Sequence, residues 1–488
     1  MCLRQLKLGS GHAQARVNMI QVKLSWVMVP QVLNQFSSGL SIQVGYDIGL
    51  FFRSPVNFTC RQLDQLHLRM EVDELSWDCL PLDHFKLPLT AKPTNCCTDI
   101  DAPDILTLSD LSIDSVLPDD VFERIFSFLP ISSVIRASLT CKRWHEIIHS
   151  RRCSLFSPVS KSKPWYFMFT CTSEASPGGF AFDPLTRKWF SFHLPCIEKS
   201  NWFVSSSSGL VCCMDSDSWS RVFVSNPIIH EWRQLPEPSG DSQPDYSTVA
   251  ISVDTKSLNY IVSLVRSKQV SDDFHQWEFV VHLYGSGSGK WVTPVKEVFS
   301  GWRGGDDSVI CNGFLYCLIQ STGVIANTVP WHRLIMYNIV SSSGSLMHSS
   351  IPVPCALTCG RLMNLKDRLV LVGGIAKNDR PDIIKGIGIW ELCQNKVWRE
   401  VAKMPHKYFQ GFGELDDVFA SSGSHELVYI QSYGSTALLV FDMEKKQWRW
   451  SARCPVSKRF PLQLFSGFCF EPRLEEDLRL PFDRRYPG

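Results

Sequence analysis

The string FAFDPLTRKWFSFHLP, residues 180–195, decides the fold: an extended run, a turn, a second extended run holding a tryptophan, then an exit through proline. The same unit recurs as VFVSNPIIHEWRQLPEP at 222–238, VHLYGSGSGKWVTPVKEV at 281–298, IGIWELCQNKVWREVAKMP at 387–405 and LLVFDMEKKQWRWSARCP at 438–455. A further copy, LIMYNIVSSSGSLMHSSIPVP at 334–354, places Leu346 near the expected tryptophan. From about Pro164 onward short strand-like runs alternate with Gly, Ser, Asn, Asp and Pro turns, which describes an all-β region.

The tryptophans Trp189, Trp232, Trp291, Trp398 and Trp448 are spaced 43, 59, 107 and 50 residues apart, and the 107 spans the copy without one. That period belongs to the blades of a β-propeller, here with six blades. Runs upstream of the hairpins, such as GLVCCMD (209–215), GFLYCLI (313–319), RLVLVGG (368–374) and ELVYIQ (426–431), are expected to supply the inner two strands of each blade. A blade cannot bury both faces alone, so the tryptophans read as packing between neighbours and not as platforms for nucleobases. The apolar run FPLQLFSGFCFE at 460–471 is expected to complete the blade begun by PWYFMFTC at 164–171 and so close the ring. The charged tail from Leu474 to Gly488 reads as dispensable.

Ahead of this region lies LPDDVFERIFSFLPISSVIRASLTCKRWHEII, residues 117–148. A Leu-Pro pair followed by Asp119 and Asp120 opens a helix whose Val121, Phe122, Ile125, Phe126 and Leu129 fall three and four apart. Pro130 stops it, Ser132 and Ser133 are expected to cap a second helix, and Thr140 a third carrying Trp144, Ile147 and Ile148. So short a unit cannot bury enough apolar surface to stand alone and must lean on another chain or on the domain that follows.

Leu117-Pro118, Ile125, Leu129-Pro130, Cys141-Lys142 and Trp144 meet the pattern of an F-box, which this stretch resembles. The β region resembles a kelch-type propeller, its diglycine surviving as Gly373-Gly374, and the order is similar to that of the plant F-box/kelch-repeat family. PWYFMF at 164, SGWRGGDDSVICN at 300, TCGRLMNLKDRLVLVGGI at 358 and PLQLFSGFCFEPRLE at 461 carry the likeness over residues 70–474. The resemblance implies a mainly β, kelch-type β-propeller preceded by a small three-helix F-box. It implies docking on the Skp adaptor, and through it the cullin, of an SCF-type ubiquitin ligase, by Leu117, Pro118, Ile125, Leu129, Pro130, Cys141 and Trp144. The propeller would then hold an unidentified protein substrate for ubiquitination and degradation.

Composition agrees with a binding protein. The 488 residues carry a formal net charge of +1, giving no global field for nucleic acid or an anionic membrane, and no apolar run reaches the length of a membrane span. The 18 cysteines include no CxxC, and Cys355 with Cys359 has no second half-site, so reduced thiols and no metal are expected, in the nucleus or cytoplasm with the nucleus slightly favoured. The organisation reads as an unstructured or extraneous extension (1–69, basic), an acidic flexible segment (70–115), the F-box (116–160), the propeller (161–474) and a flexible tail (475–488), with Met70 a natural start.

Three strings imitate functional motifs. His145-Glu146-Ile147-Ile148-His149 has zincin spacing but lies in the third F-box helix, where Trp144 and Ile148 are needed for packing. GSGSGK at 285–290 lacks the first glycine and the Ser or Thr of a phosphate loop and reads as a hairpin turn. Asn57-Phe58-Thr59 is a glycosylation sequon by letter only, since no export signal is evident. No acid and base pair is placed for catalysis and no cofactor is expected; a copper oxidase using the propeller cavity would need His and Tyr clustered at the channel mouth, and the 13 histidines show no such grouping. Target binding is expected on loops between blades and between second and third strands, with Trp302, Arg303, Arg380, Trp202 and Phe409 as candidate anchors.

Overall fold

The computed structural model describes residues 117–149, 163–170, 178–194, 202–215, 221–239, 243–322, 331–339, 350–377, 383–412, 419–433, 435–456 and 465–474. The segments 1–69 and 70–115, the tail 475–488, Leu346 and Arg380 therefore lie outside the described residues. Within them the β region forms six four-stranded antiparallel sheets, the blades of a propeller. Blade 2 is β4 (Trp202–Ser207), β5 (Leu210–Asp215), β6 (Val222–Asn226) and β7 (Glu231–Gln234); blade 3 is β8 (Tyr246–Val253), β9 (Tyr260–Val270), β10 (Asp273–Gly285) and β11 (Lys290–Ser300). Blade 4 is β12 (Trp302–Cys311), β13 (Phe314–Ser321), β14 (His332–Asn338) and β15 (Ile351–Pro352). Blade 5 is β16 (Leu357–Asn364), β17 (Leu369–Ala376), β18 (Ile384–Leu392) and β19 (Trp398–Lys403), and blade 6 is β20 (Phe419–Ser424), β21 (Leu427–Ser432), β22 (Leu439–Asp442) and β23 (Gln447–Trp450).

Each repeated hairpin is the outer half of a blade, and one turn design recurs. In blades 1, 2 and 6 an Asp or Asn ends the third strand, its carboxylate or amide oxygen accepts a backbone N–H two residues on, and a residue four positions on takes positive φ. Asp183 accepts from Leu185 at 2.9 Å, Asn226 from Ile228 at 3.2 Å and Asp442 from Glu444 at 3.0 Å. Arg187, His230, Lys446, Lys396 and Gly289 take the left-handed conformation two residues before the tryptophan. The indoles then reach across: Nε1 of Trp189, Trp291 and Trp398 donates to the carbonyl oxygen of Ala452, Pro236 and Pro352, each at the outer edge of the preceding blade, at 2.8, 2.6 and 2.9 Å. Packing between blades is thus the indoles' role.

The inner strands correct an expectation. GLVCCMD, GFLYCLI, RLVLVGG and ELVYIQ each form only the second strand, buried on both faces in blades 2, 5 and 6 and hence continuously apolar. The innermost strand is the polar run just before it, WFVSSS, WRGGDDSVIC, LTCGRLMN or FASSGS. Its serines bind neighbouring backbone: Ser205 and Ser207 Oγ accept from Ile251 and Val253 N–H at 3.3 and 3.2 Å, and Ser422 Oγ from Cys469 N–H at 2.9 Å. Apolar layers between consecutive blades make the core, as where Met363, Val372 and Ile389 of blade 5 meet Val428, Ile430 and Phe441 of blade 6.

Ring closure follows the sequence reading. Blade 1 takes its innermost strand, β24 (Phe465–Phe470), from the C-terminal end and β1 (Trp165–Thr170), β2 (Gly178–Asp183) and β3 (Lys188–His193) from the start. All six residues of β24 pair with β1, from Trp165 opposite Phe470 to Thr170 opposite Phe465. Gly467 admits this approach, because a Cβ there would run into the Phe167 carbonyl and the Tyr166 ring.

Among the described residues three helices precede the ring: α1 (Asp119–Ser127), α2 (Ile131–Ser138) and α3 (Lys142–His149). The expected serine and threonine caps are not used. Pro130 sits at the N-cap of α2 with extended backbone, so Ser132 and Ser133 fall inside the helix, and Thr140 donates back to Ala137 O. Cys141 caps α3 instead, its Sγ accepting from Trp144 N–H at 3.4 Å. Ser132 Oγ donates to Asp183 Oδ2 of blade 1 at 2.9 Å and Arg136 lies over the Phe190 ring at 5.5 Å, which provides the support so small a unit needs. Leu474, expected to be dispensable, packs on the helical core.

Candidate functional site

The helical unit has an inside and an outside that its periodicity blurred. Phe122, Phe126, Val134, Ala137, Ile147 and Ile148 are buried, and Trp144 wedges against Phe122 and Phe126 with centroids at 5.5 and 5.3 Å. Leu117 and Leu129 are half-buried beside them. Ile125, at 43% exposure, faces out, together with Phe128 at 64%, Leu139 at 45% and the exposed Pro118; Pro130 and Cys141 are half-buried. Phe128 escaped the sequence reading, although it stands off the α1 stripe, where a large apolar residue has no core to enter. Arg143 was missed too: it donates to Leu117 O at 2.6 Å and to Asp119 Oδ1 at 2.7 Å and lies over the Phe122 ring at 5.1 Å, tying the start of α1 to α3.

His145 and His149 stack at 4.1 Å between centroids, and burial, then the neighbouring His149, lowers the pKa of His145. Among the described residues no group of three or more His, Cys, Asp or Glu is placed to hold a metal ion.

A second surface is set by topology. The chain enters β1 opposite the end of β24, and Asp183 and Ser208 on neighbouring turns meet Ser132 and Arg473, so the helices lie at the rim formed by turns between first and second and between third and fourth strands. Connections between blades open on the opposite rim. Trp302 and Arg303 begin β12 there but do not face a partner, which corrects their expected role as anchors. Trp302 is buried in the apolar layer shared by blades 3 and 4, with Arg333 over its ring at 5.1 Å. Arg303 is buried between Asp306, bonded at 2.6 Å, Gln320 and the Tyr246 ring at 3.9 Å. Both clamp blade 3 to blade 4. Trp202 opens β4, and Phe409 is half-buried on the core at the end of a short helix, α4 (His406–Phe409). Among the described residues the exposed rings on this rim include Phe274, at 67%, at the start of β10, Trp331, at 46%, before β14, and Trp450, at 39%, at the end of β23. Trp450 is braced by Phe412 at 5.8 Å and Tyr408 at 6.3 Å. On the innermost strands of blades 4 and 5, burial pushes the Asp307 carboxyl up to about 6 against the pull of Arg361, which donates to Asp306 O at 3.1 Å.

Comparison with known proteins follows this division. Residues 114–155 match the F-box-like family model, and residues 185–454 match the model described as F-box protein At3g26010-like, beta-propeller. F-box/kelch-repeat protein At3g61590 of Arabidopsis thaliana is 54% identical over 415 residues, covering 82% of this chain and 98% of that protein. F-box only protein 6 of the same plant is 26% identical over 77% of each chain, and Protein UNUSUAL FLORAL ORGANS is 25% identical over 75% of this chain and 88% of its own.

Proposed function

This chain belongs to the F-box/kelch-repeat family, and from that premise we propose that it is the substrate-recognition subunit of an SCF-type ubiquitin-protein ligase. Its F-box docks on a Skp-type adaptor and thereby on the cullin, and its propeller holds a target protein for ubiquitination and degradation, in the nucleus or cytoplasm. The chain itself supplies binding and no chemistry; a protein target, and neither nucleic acid nor membrane, is the ligand. Among the described residues no helix is long and apolar enough to cross a membrane.

The observation that carries this reading is the apolar surface left open on the helices by Ile125, Phe128 and Leu139 beside half-buried Leu117, Leu129 and Pro130. Three large apolar side chains exposed on a unit of this size mark a docking surface. Phe128 alone, 64% exposed, offers roughly 130 Å² of an aromatic side chain, and covering it is worth about 3 kcal/mol at about 25 cal/mol per Å². Trp331 and Trp450 on the far rim are of the type that anchors protein interfaces. They face a target held away from the adaptor.

The test is assembly in plant cells. Tagged wild-type protein is expected to bring down cullin and adaptor, and a Phe128→Asp variant neither. Recovery of cullin with Phe128→Asp at the wild-type level would sink the proposal.

A further inference from the structure

After β24 the chain runs Glu471-Pro472-Arg473-Leu474, and three of these residues meet three different parts of the molecule. Glu471 Oε1 accepts from Ser424 Oγ at 2.6 Å and lies 3.3 Å from His425 Nδ1, both where β20 turns into β21 in blade 6. Arg473 donates to Ser208 O at 3.4 Å in blade 2. Its stem lies over Gly209, whose φ of +87° and lack of a side chain let it approach: an added Cβ would stand 2.6 Å from the Arg473 Cβ. Leu474 packs on the F-box core formed by Phe122, Phe126, Val134, Ala137, Ile147 and Ile148. That core is small, and Leu474 comes to it from the far end of the chain.

We propose that residues 471–474 are a latch that joins ring closure to F-box integrity, with Leu474 as the positioning residue. The strand that closes the propeller delivers Leu474 to the helices, so the F-box is held in one orientation on its rim and is competent for the adaptor only once the ring has closed. This rests on the reading above that the F-box docks on an adaptor. Ser132 on Asp183 and Arg136 over Phe190 hold the same unit from blade 1, so two separate segments fix it. With the adaptor on the helices and the target on the opposite rim, a fixed F-box makes the offset between them a property of this chain alone.

The test is hydrogen exchange on the full chain, read beside adaptor affinity. In Leu474→Ala, amides of residues 119–149 are expected to exchange about tenfold faster while the amides of blades 2 to 5 keep wild-type rates, with Leu474→Met restoring protection. Adaptor affinity should fall in step. Because the closing strand delivers Leu474, Gly467→Val, which obstructs that strand, should also loosen residues 119–149 without touching them. Wild-type exchange over 119–149 in Leu474→Ala, or an acceleration spread equally over the blades, would overturn the latch even where the adaptor binds normally. Conversely, faster exchange of the helices in a protein that binds no adaptor supports the latch and removes the docking reading.

Discussion

Ending the chain after Pro455 removes the innermost strand of blade 1. β24 pairs along its whole length with β1, and Phe468, Cys469 and Phe470 are buried in the pairing. Its loss takes two buried phenylalanines from the core and uncovers Tyr166 and Phe167 of β1. At about 2–3 kcal/mol for each aromatic side chain the loss is about 10 kcal/mol, before the lost ladder bonds are counted. A domain has only about 5–15 kcal/mol in all. The truncated protein should therefore lose its cooperative melting transition by circular dichroism and run as aggregates in size exclusion, associating through the bared edge of β1. Retention of the wild-type melting temperature by the truncated chain would refute the closure.

Other consequences are smaller and separable. Trp291→Phe and Trp398→Phe keep the ring but lose the bonds to the Pro236 and Pro352 carbonyls, and each should lower stability in denaturant titration by about 1 kcal/mol. Burial pushes the pKa of His332 down to about 4, so the unfolded chain binds its proton first as pH falls. Stability should fall between about pH 6.5 and 4, by up to about 3 kcal/mol for this group, and His332→Gln should flatten that slope. His425, raised mainly by its hydrogen bond to Glu471, acts in the opposite sense; its contribution is full below its ordinary value and is lost as pH rises through the raised one. Asp442→Ala should cost about 1 kcal/mol in thermal unfolding, because Glu444 and Lys445 N–H both lose their acceptor in the turn before Trp448.

The repeat was legible because its marks are local. A third strand, a left-handed residue and a tryptophan stand at fixed offsets, joined in blades 1, 2 and 6 by an Asp or Asn, and each follows from the geometry of one turn. The innermost strands were not legible, because serines that bind the next blade's backbone, such as Ser205 and Ser207, look like loop residues when the neighbour is unknown. Trp302 and Arg303 misled for the same reason. Residue type marked them as anchors, yet their partners Tyr246, Gln320 and Arg333 are distant in sequence and cover them. Ile125 was placed on the docking surface by its family pattern and on the buried stripe by its period; the structure resolves the two, with Phe122 and Phe126 inside and Ile125 outside. Leu474 carries no local mark at all, since its contact spans the whole domain.

The central claim is that the open apolar face of the F-box binds a Skp-type adaptor, and calorimetric titration of purified full-length chain with purified adaptor tests it most directly. We expect a one-to-one complex whose affinity drops by about a hundredfold in Phe128→Ala, from about 3 kcal/mol of covered surface, with the propeller's melting transition unchanged. No heat of binding for the wild-type chain at micromolar concentrations, or equal affinity for the variant, would contradict it.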